Sequence, residues 1–236
     1  MDIFTNLGHT LLAYLKDALY IVPVVFISLT FHECAHGYAA YKLGDPTAKE
    51  AGRLTLNPLK HIDPLGLLMM IIIHFGWAKP VPVNPLYFKE PKKGMMVTAA
   101  AGPVSNLILA VASSFFAVFF NYAYNYSYFN EILSNVLLVA AIFFYYMTII
   151  NLGLAVFNLI PVYPLDGSRI LGFFMPDKFN DFIRRYGQYF YIAFFVLIIT
   201  TDFISRAVGT VQGTLFEGLT IVWNVPARFL ARLLFS

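Results

Sequence analysis

Apolar runs long enough to cross a lipid bilayer recur along this chain, and they constrain its fold more than any other feature. Leu19–Tyr41, Gly94–Asn121, Ile132–Leu159 and Tyr186 to Thr201 or a little beyond stand out, against the roughly 17–25 apolar residues that a membrane-crossing helix needs. Backbone polar groups in hydrocarbon must be satisfied within the segment, so such runs fold as helices. The residues are 59% hydrophobic and 12% charged, where soluble domains average about 45–50% and about 25%. The expected fold is an all-α polytopic membrane protein with about 4–6 transmembrane helices. No long polar linker separates the runs, so a single membrane-embedded domain over 1–236 is expected, with its core at about 19–206.

The stretches between the runs set the orientation. Thr47–Asp63 carries Lys49, Arg53 and Lys60, a second loop carries Lys79, Lys89, Lys92 and Lys93, and Pro176–Arg185 carries Lys178, Arg184 and Arg185. Asn121–Glu131 is rich in Tyr and Asn and has no Lys or Arg. Basic loops stay on the cytoplasmic side, which predicts a multi-pass protein of the cell membrane with these three basic loops inside and Asn121–Glu131 outside. Pro64–Trp77 is apolar but too short to span, and both its flanks are basic, so residues 64–85 are expected to hold a short re-entrant and extended segment. Within Gly76–Pro85, prolines at 80, 82 and 85 forbid a helix and force extended backbone, either an edge strand or a polyproline stretch. Residues 2–18, with Lys16 and Asp17, are expected as a helix on the membrane surface. Residues 210–236, which mix Glu217, Pro226, Arg228 and Arg232 with Leu, Phe and Trp, are expected as an interfacial or weakly spanning helix. The N-terminus has neither a positive n-region nor a small-residue cleavage site near residue 20, so it is not read as a removed signal peptide. A scattered net charge of +3 argues against nucleic acid as a partner. Cys34 is the only cysteine, so no internal disulfide can form.

Inside the first run stands Thr30-Phe31-His32-Glu33-Cys34-Ala35-His36-Gly37. On a helix, His32 and His36 lie one turn apart on one face, so both imidazoles can reach one zinc ion at about 2.0–2.1 Å. Glu33 sits on the flank of that face, where its carboxylate can touch an activated water without ligating the metal. Cys34 lies about 200° round the helix from His32 and reads as packing. Ionisable residues at membrane depth are costly, about 2.5–3.5 kcal/mol at mid-bilayer on insertion scales, and are retained by default for function. A catalytic zinc needs a third protein ligand and one open position. His9, His61, His74 and Asp166 are candidates. Asp166 follows a run that returns inward and so arrives at the depth of His32 and His36, which makes it the preferred third ligand. Its bland role would be a cap for the helix beginning near Ser168.

Three signatures together resemble the site-2 proteases, zinc metalloproteases that cut within the membrane. They are His32-Glu33-x-x-His36, Gly102-Pro103-x-x-Asn106, and Asn158-x-x-Pro161 leading to Leu165-Asp166-Gly167. The chain resembles a compact prokaryotic member without PDZ or CBS domains, and Gly-Trp-Ala-Lys-Pro-Val-Pro-Val-Asn-Pro looks like a segment found in such members. The resemblance implies that His32, His36 and Asp166 hold one Zn²⁺ per chain, that Glu33 is the general base, and that Asn158 stabilises the oxyanion. It also implies single-span membrane proteins or their remnants as substrates, with the lipid bilayer as the setting; the polar loops on the inner side make the cytoplasmic face the expected entry to the active site. Asn106 reads better as an interhelical hydrogen bond. His61-Ile62-Asp63-Pro64-x-Gly66 also resembles a family feature and reads as a turn that starts the short segment. Strand addition of a substrate to Trp77–Asn84 stands beside a plain Pro-rich linker as a reading of that stretch. Two rivals from other classes are a membrane scaffold with a structural zinc site, which would need a fourth ligand such as His61 or His74, and a metal transporter, which would need more polar residues along its spans.

Overall fold

A computed structural model describes residues 3–73, 77–127 and 130–235. Two long helices form its centre, α4 (Pro91–Tyr126) and α5 (Glu131–Asn158), close to the apolar runs that the sequence marks. Helix α1 (Ile3–Lys42) packs against both. The expected surface helix 2–18 is not a separate element, because α1 runs unbroken from residue 3 through the first span. Leu, Ala and Lys between Leu11 and Leu19 are good helix formers and supply no stop signal.

Helix α1 ends where the sequence places Gly and Pro. Gly44 has φ +106°, a conformation that favours glycine, and the Asp45 N–H closes the turn onto Ala40 O at 3.0 Å. A four-residue helix α2 (Thr47–Glu50) follows and rests on α1. The short apolar segment forms α3 (Pro64–Ile73), a rise of about 15 Å, half of what a crossing requires. Asp63 Oδ1 accepts from the N–H groups of Leu65 and Gly66, each at 2.9 Å, so the Asp-Pro turn starts this helix as the sequence suggests. Gly66 lies against the backbone of Trp77, where a Cβ would collide. Entry and exit of the segment are therefore neighbours, which is the geometry of a re-entrant element. From Trp77 the chain runs extended to Asn84, with one antiparallel bridge between Ala78 and Ile62.

Beyond α5, a tight turn leads to α6 (Asp166–Phe174), packed on α4. Helix α7 (Asp177–Thr200) is long and apolar enough to cross a membrane, as are α4, α5 and the Asp17–Lys42 part of α1. The last helix, α8 (Phe203–Phe235), lies along α4 and α5. Gln212 Nε2 donates to Ile149 O at 2.7 Å, Trp223 Nε1 to Ser114 Oγ at 3.0 Å, and Tyr122 OH to Asn224 Oδ1 at 3.0 Å. Near its end, Ala227 and Ala231 are fully buried against Phe119, Ala123 and Leu137. From Gln212 to Ala231 the helix rises about 28 Å, so α8 is a member of the bundle through most of its length.

Candidate metal centre

The outcome of this packing is a cluster of three ligand atoms. His32 Nε2 and His36 Nε2 lie 3.0 Å apart, and each is 3.2 Å from Asp166 Oδ2. Among the described residues these are the three of His, Cys, Asp and Glu that converge closely enough to hold one ion. His32 and Asp166 are buried.

Two elements supply the three groups, α1 both imidazoles and α6 the carboxylate. One α-helical turn stacks His32 over His36. Asp166 arrives through the turn after α5, where Leu165 N–H donates to Val162 O at 2.9 Å and Gly167 lies so close to the Leu159 and Ile160 carbonyls that any side chain would strike them. The Leu-Asp-Gly sequence thus folds α6 back onto the end of α5 with the carboxylate facing α1. Gly102 of α4 supplies the third wall, and a Cβ there would stand 2.5 Å from His36 Nε2 and 2.6 Å from His32 Cε1.

The hydrogen bonds behind the imidazoles decide their protonation. His36 Nδ1 is 2.7 Å from the Thr98 carbonyl oxygen, which can only accept, so Nδ1 carries the proton. For His32 the argument runs through two amides. Asn151 Nδ2 faces the Met147 carbonyl at 2.8 Å and donates to Ser28 Oγ at 2.8 Å, which turns Asn151 Oδ1 toward Asn106. Asn106 Nδ2 donates to it at 2.7 Å and to Ser28 O at 3.3 Å. Asn106 Oδ1 therefore faces His32 Nδ1 at 2.6 Å and takes its proton. Both Nε2 atoms are left as bare lone pairs, and Asp166 Oδ2 is buried without a hydrogen-bond partner.

Three acceptors facing one another at 3.0–3.2 Å repel unless a cation lies among them. Nitrogen and oxygen ligands about 2.0–2.1 Å from one ion in a tetrahedral array stand about 3.3 Å apart. The donor set thus fits zinc in type, spacing and tautomer. Partners that fix a ligand imidazole typically matter 10–100-fold in metal affinity. Replacing Asn106 by Leu should accordingly weaken zinc binding by about 10–100-fold, read by competition with a chromophoric chelator; an unchanged affinity would disprove the relay through Asn151.

Glu33 flanks the cluster, nine-tenths buried. Its Oε2 accepts from the backbone N–H of Val81 at 2.8 Å, in the extended segment. The other sequence candidates lie elsewhere. His61 is fully buried and donates through Nε2 to Thr55 O at 2.8 Å, His74 lies outside the described residues, and His9 belongs to the first turns of α1. Asn158 ends α5 with its amide on Leu154 O at 2.9 Å, one turn back, and no described contact joins it to the cluster. Asn106, read from sequence as an interhelical bond, makes that bond to α1 and α5 and also holds His32. Sequence reasoning passed over Asn151 and Ser28, although a carboxamide between Ile150 and Leu152 in a span is itself a signal. Thr98 and Val81 act through backbone groups and leave no mark in side-chain chemistry.

Comparison with known proteins agrees with this geometry. The model of Peptidase family M50 matches residues 20–200. YwhC of Bacillus subtilis, named as a candidate zinc metalloprotease, is 43% identical over 181 residues, 77% of this chain and 80% of that protein. Rip2 of Mycolicibacterium smegmatis, named in the same way, is 34% identical over 106 residues, 42% of this chain and 40% of that protein. The zinc metalloprotease MJ0392 of Methanocaldococcus jannaschii is 27% identical over 157 residues, 66% of this chain and 34% of that protein. No solved structure gives a significant match. The matched region contains His32, Glu33, His36, Gly102, Asn106, Asn151 and Asp166, and the chain belongs to Peptidase family M50, the family of the site-2 proteases.

Proposed function

We propose that this protein is a zinc-dependent endopeptidase that hydrolyses peptide bonds within or near the transmembrane segments of single-span membrane proteins. The observation that carries the reading is the cluster of three bare acceptor atoms, beside a buried carboxylate, inside a bundle of membrane-crossing helices. His32, His36 and Asp166 would hold the ion. Three protein ligands leave one position open, as catalytic zinc sites do, whereas structural sites close with a fourth. Zinc, when bound, supplies Lewis acidity to the scissile carbonyl and lowers the pKa of water to about 7.

The chain's own groups do the rest. Thr98 and Asn106 orient the two imidazoles, and Gly102 leaves them room. Val81 N–H fixes one oxygen of Glu33, and Glu33 Oε1 takes the proton of the attacking water and returns it to the departing amine nitrogen. Asn158 is assigned to the oxyanion; its amide rests on Leu154 O and must leave that bond to reach it. The basic loops share a side with the inner ends of α1 and α4, where Lys92 meets Asp177 at 3.3 Å. This supports a cytoplasmic opening.

Purified protein in detergent, given a single-span reporter, should cut it within the span and bind one zinc per chain. Stripping the metal with a chelator should abolish cleavage, and zinc should restore it. Protein that holds zinc through four protein ligands by X-ray absorption, and cuts no reporter, would point to a structural site instead.

A further inference from the structure

The extended segment from Ala78 to Asn84 touches the rest of the protein through a small set of polar contacts. Lys79 N–H donates to His61 O at 2.8 Å, Val81 N–H to Glu33 Oε2 at 2.8 Å, and Asn84 N–H to Asp45 Oδ2 at 2.7 Å. Pro80 and Pro82 have no N–H. The Lys79 and Val81 N–H groups, two residues apart, thus both point inward, and Pro80 and Pro82 beside them offer no donor to the opposite edge. Arg53 Nη2 in turn donates to Lys79 O at 2.5 Å. On α1, Glu33 and Gly37 share the face that meets this segment, since a Cβ at Gly37 would stand 3.1 Å from Val81 Cγ1 and 2.8 Å from Leu54 Cδ2.

The anchors are costly for a mere linker. Asp45 is fully buried and Arg53 nearly so. The Arg53 guanidinium meets a backbone carbonyl, and its buried Nε has no partner among the described residues. Burying a charge for one such bond lowers stability unless something else is gained. At Asp45, burial acts to raise the carboxyl, and the Thr47 hydroxyl and the Asn84 and Thr47 amides outweigh it, holding the group below the usual carboxylate range. An ionised Asp45 accepts these donors strongly.

We propose that Arg53 and Asp45 are positioning residues: they strap segment 78–84 onto α1, so that the Val81 amide aims the Glu33 carboxylate at the metal centre. The strap rests on the protease reading for its kinetic consequence. On this account the segment serves the catalytic step, and its inward donors are not available to a substrate strand.

The test uses full-length protein and the single-span reporter, with Arg53→Met, Arg53→Lys and Val81→Pro. Arg53→Met removes the donor to Lys79 O, Arg53→Lys keeps one, and Val81→Pro deletes a single N–H in a segment already built of prolines. Arg53→Met and Val81→Pro should lower kcat about tenfold or more with KM within about twofold and zinc content unchanged, and Arg53→Lys should recover most of the loss. Hydrogen–deuterium exchange should find the Lys79 and Asn84 amides protected in wild type and exchanging at least about tenfold faster in Arg53→Met. A rise in KM at unchanged kcat would overturn the proposal in favour of a substrate platform. Wild-type kinetics in Val81→Pro, or unchanged exchange in Arg53→Met, would also overturn it. If Arg53→Met loses its zinc or its fold, Val81→Pro decides by the same criteria. A wild type that cuts no reporter overturns the proposed function, while the exchange experiment still decides the strap.

Discussion

Glu33→Gln is expected to keep one zinc per chain and to lose cleavage by about a thousandfold, within the 10²–10⁴ that a positioned general base contributes. The substitution is close to isosteric. A Gln carbonyl oxygen can still accept from Val81 N–H, which now bonds Glu33 Oε2 at 2.8 Å, so the extended segment stays in place. Glu33 is not among the three converging ligand atoms, so metal content should not change. What the variant lacks is a base at the free oxygen. Steady-state cleavage of the reporter with zinc measured on the same sample reads both quantities. Activity within tenfold of wild type would remove Glu33 from the mechanism, and loss of zinc would move it into the ligand set.

Gly102→Ala is expected to weaken zinc binding by about 100-fold or more, above the usual range for residues one shell out, and to abolish cleavage at zinc concentrations that saturate wild type. The added Cβ would stand 2.5 Å from His36 Cε1 and Nε2 and 2.6 Å from His32 Cε1, well inside van der Waals contact. Neither ring has an easy retreat. His36 is tied to Thr98 O and His32 to Asn106, so moving either breaks a buried hydrogen bond. Alanine is the better helix former by about 0.5–1 kcal/mol, and α4 itself should not be weakened. Metal loss from a protein that still folds with wild-type helix content is therefore the specific signature. Full zinc occupancy in the variant would mean that the rings are looser than their hydrogen bonds imply.

The parts of this molecule legible in its sequence are those that depend on side-chain chemistry summed over a window. Hydropathy finds α4 and α5 nearly to their ends, with Gly94–Asn121 expected for Pro91–Tyr126 and Ile132–Leu159 for Glu131–Asn158. His32, His36 and Asp166 are legible because few groups at that depth can bind a metal. Window averages fail at α8, where Arg206, Glu217, Arg228 and Arg232 mask a helix whose place is set by Gln212, Trp223 and two buried alanines. Direction is also hidden. Asn158 stands eight residues before Asp166, and nothing in that spacing tells that its amide turns back onto Leu154. The Thr98 carbonyl and the Val81 amide are backbone groups that any residue would offer, so their roles emerge only from packing. Val81 left a faint trace, as the one residue between Pro80 and Pro82 that still has an N–H.

The order in which the ligands occur along the chain bears on the protein's birth. His32 and His36 enter the membrane with the first helix, but the amide that turns Asn106 toward His32 comes with Asn151, and the third ligand only with Asp166. A nascent chain halted before α5 holds the two ligand imidazoles with an incomplete hydrogen-bond relay, and one halted between α5 and α6 still has no carboxylate to join them. Zinc capture must therefore wait until about two thirds of the chain has been translated and α5 has docked. Any shorter length of chain lacks the third ligand, so the metal centre is among the last features of the core to be completed.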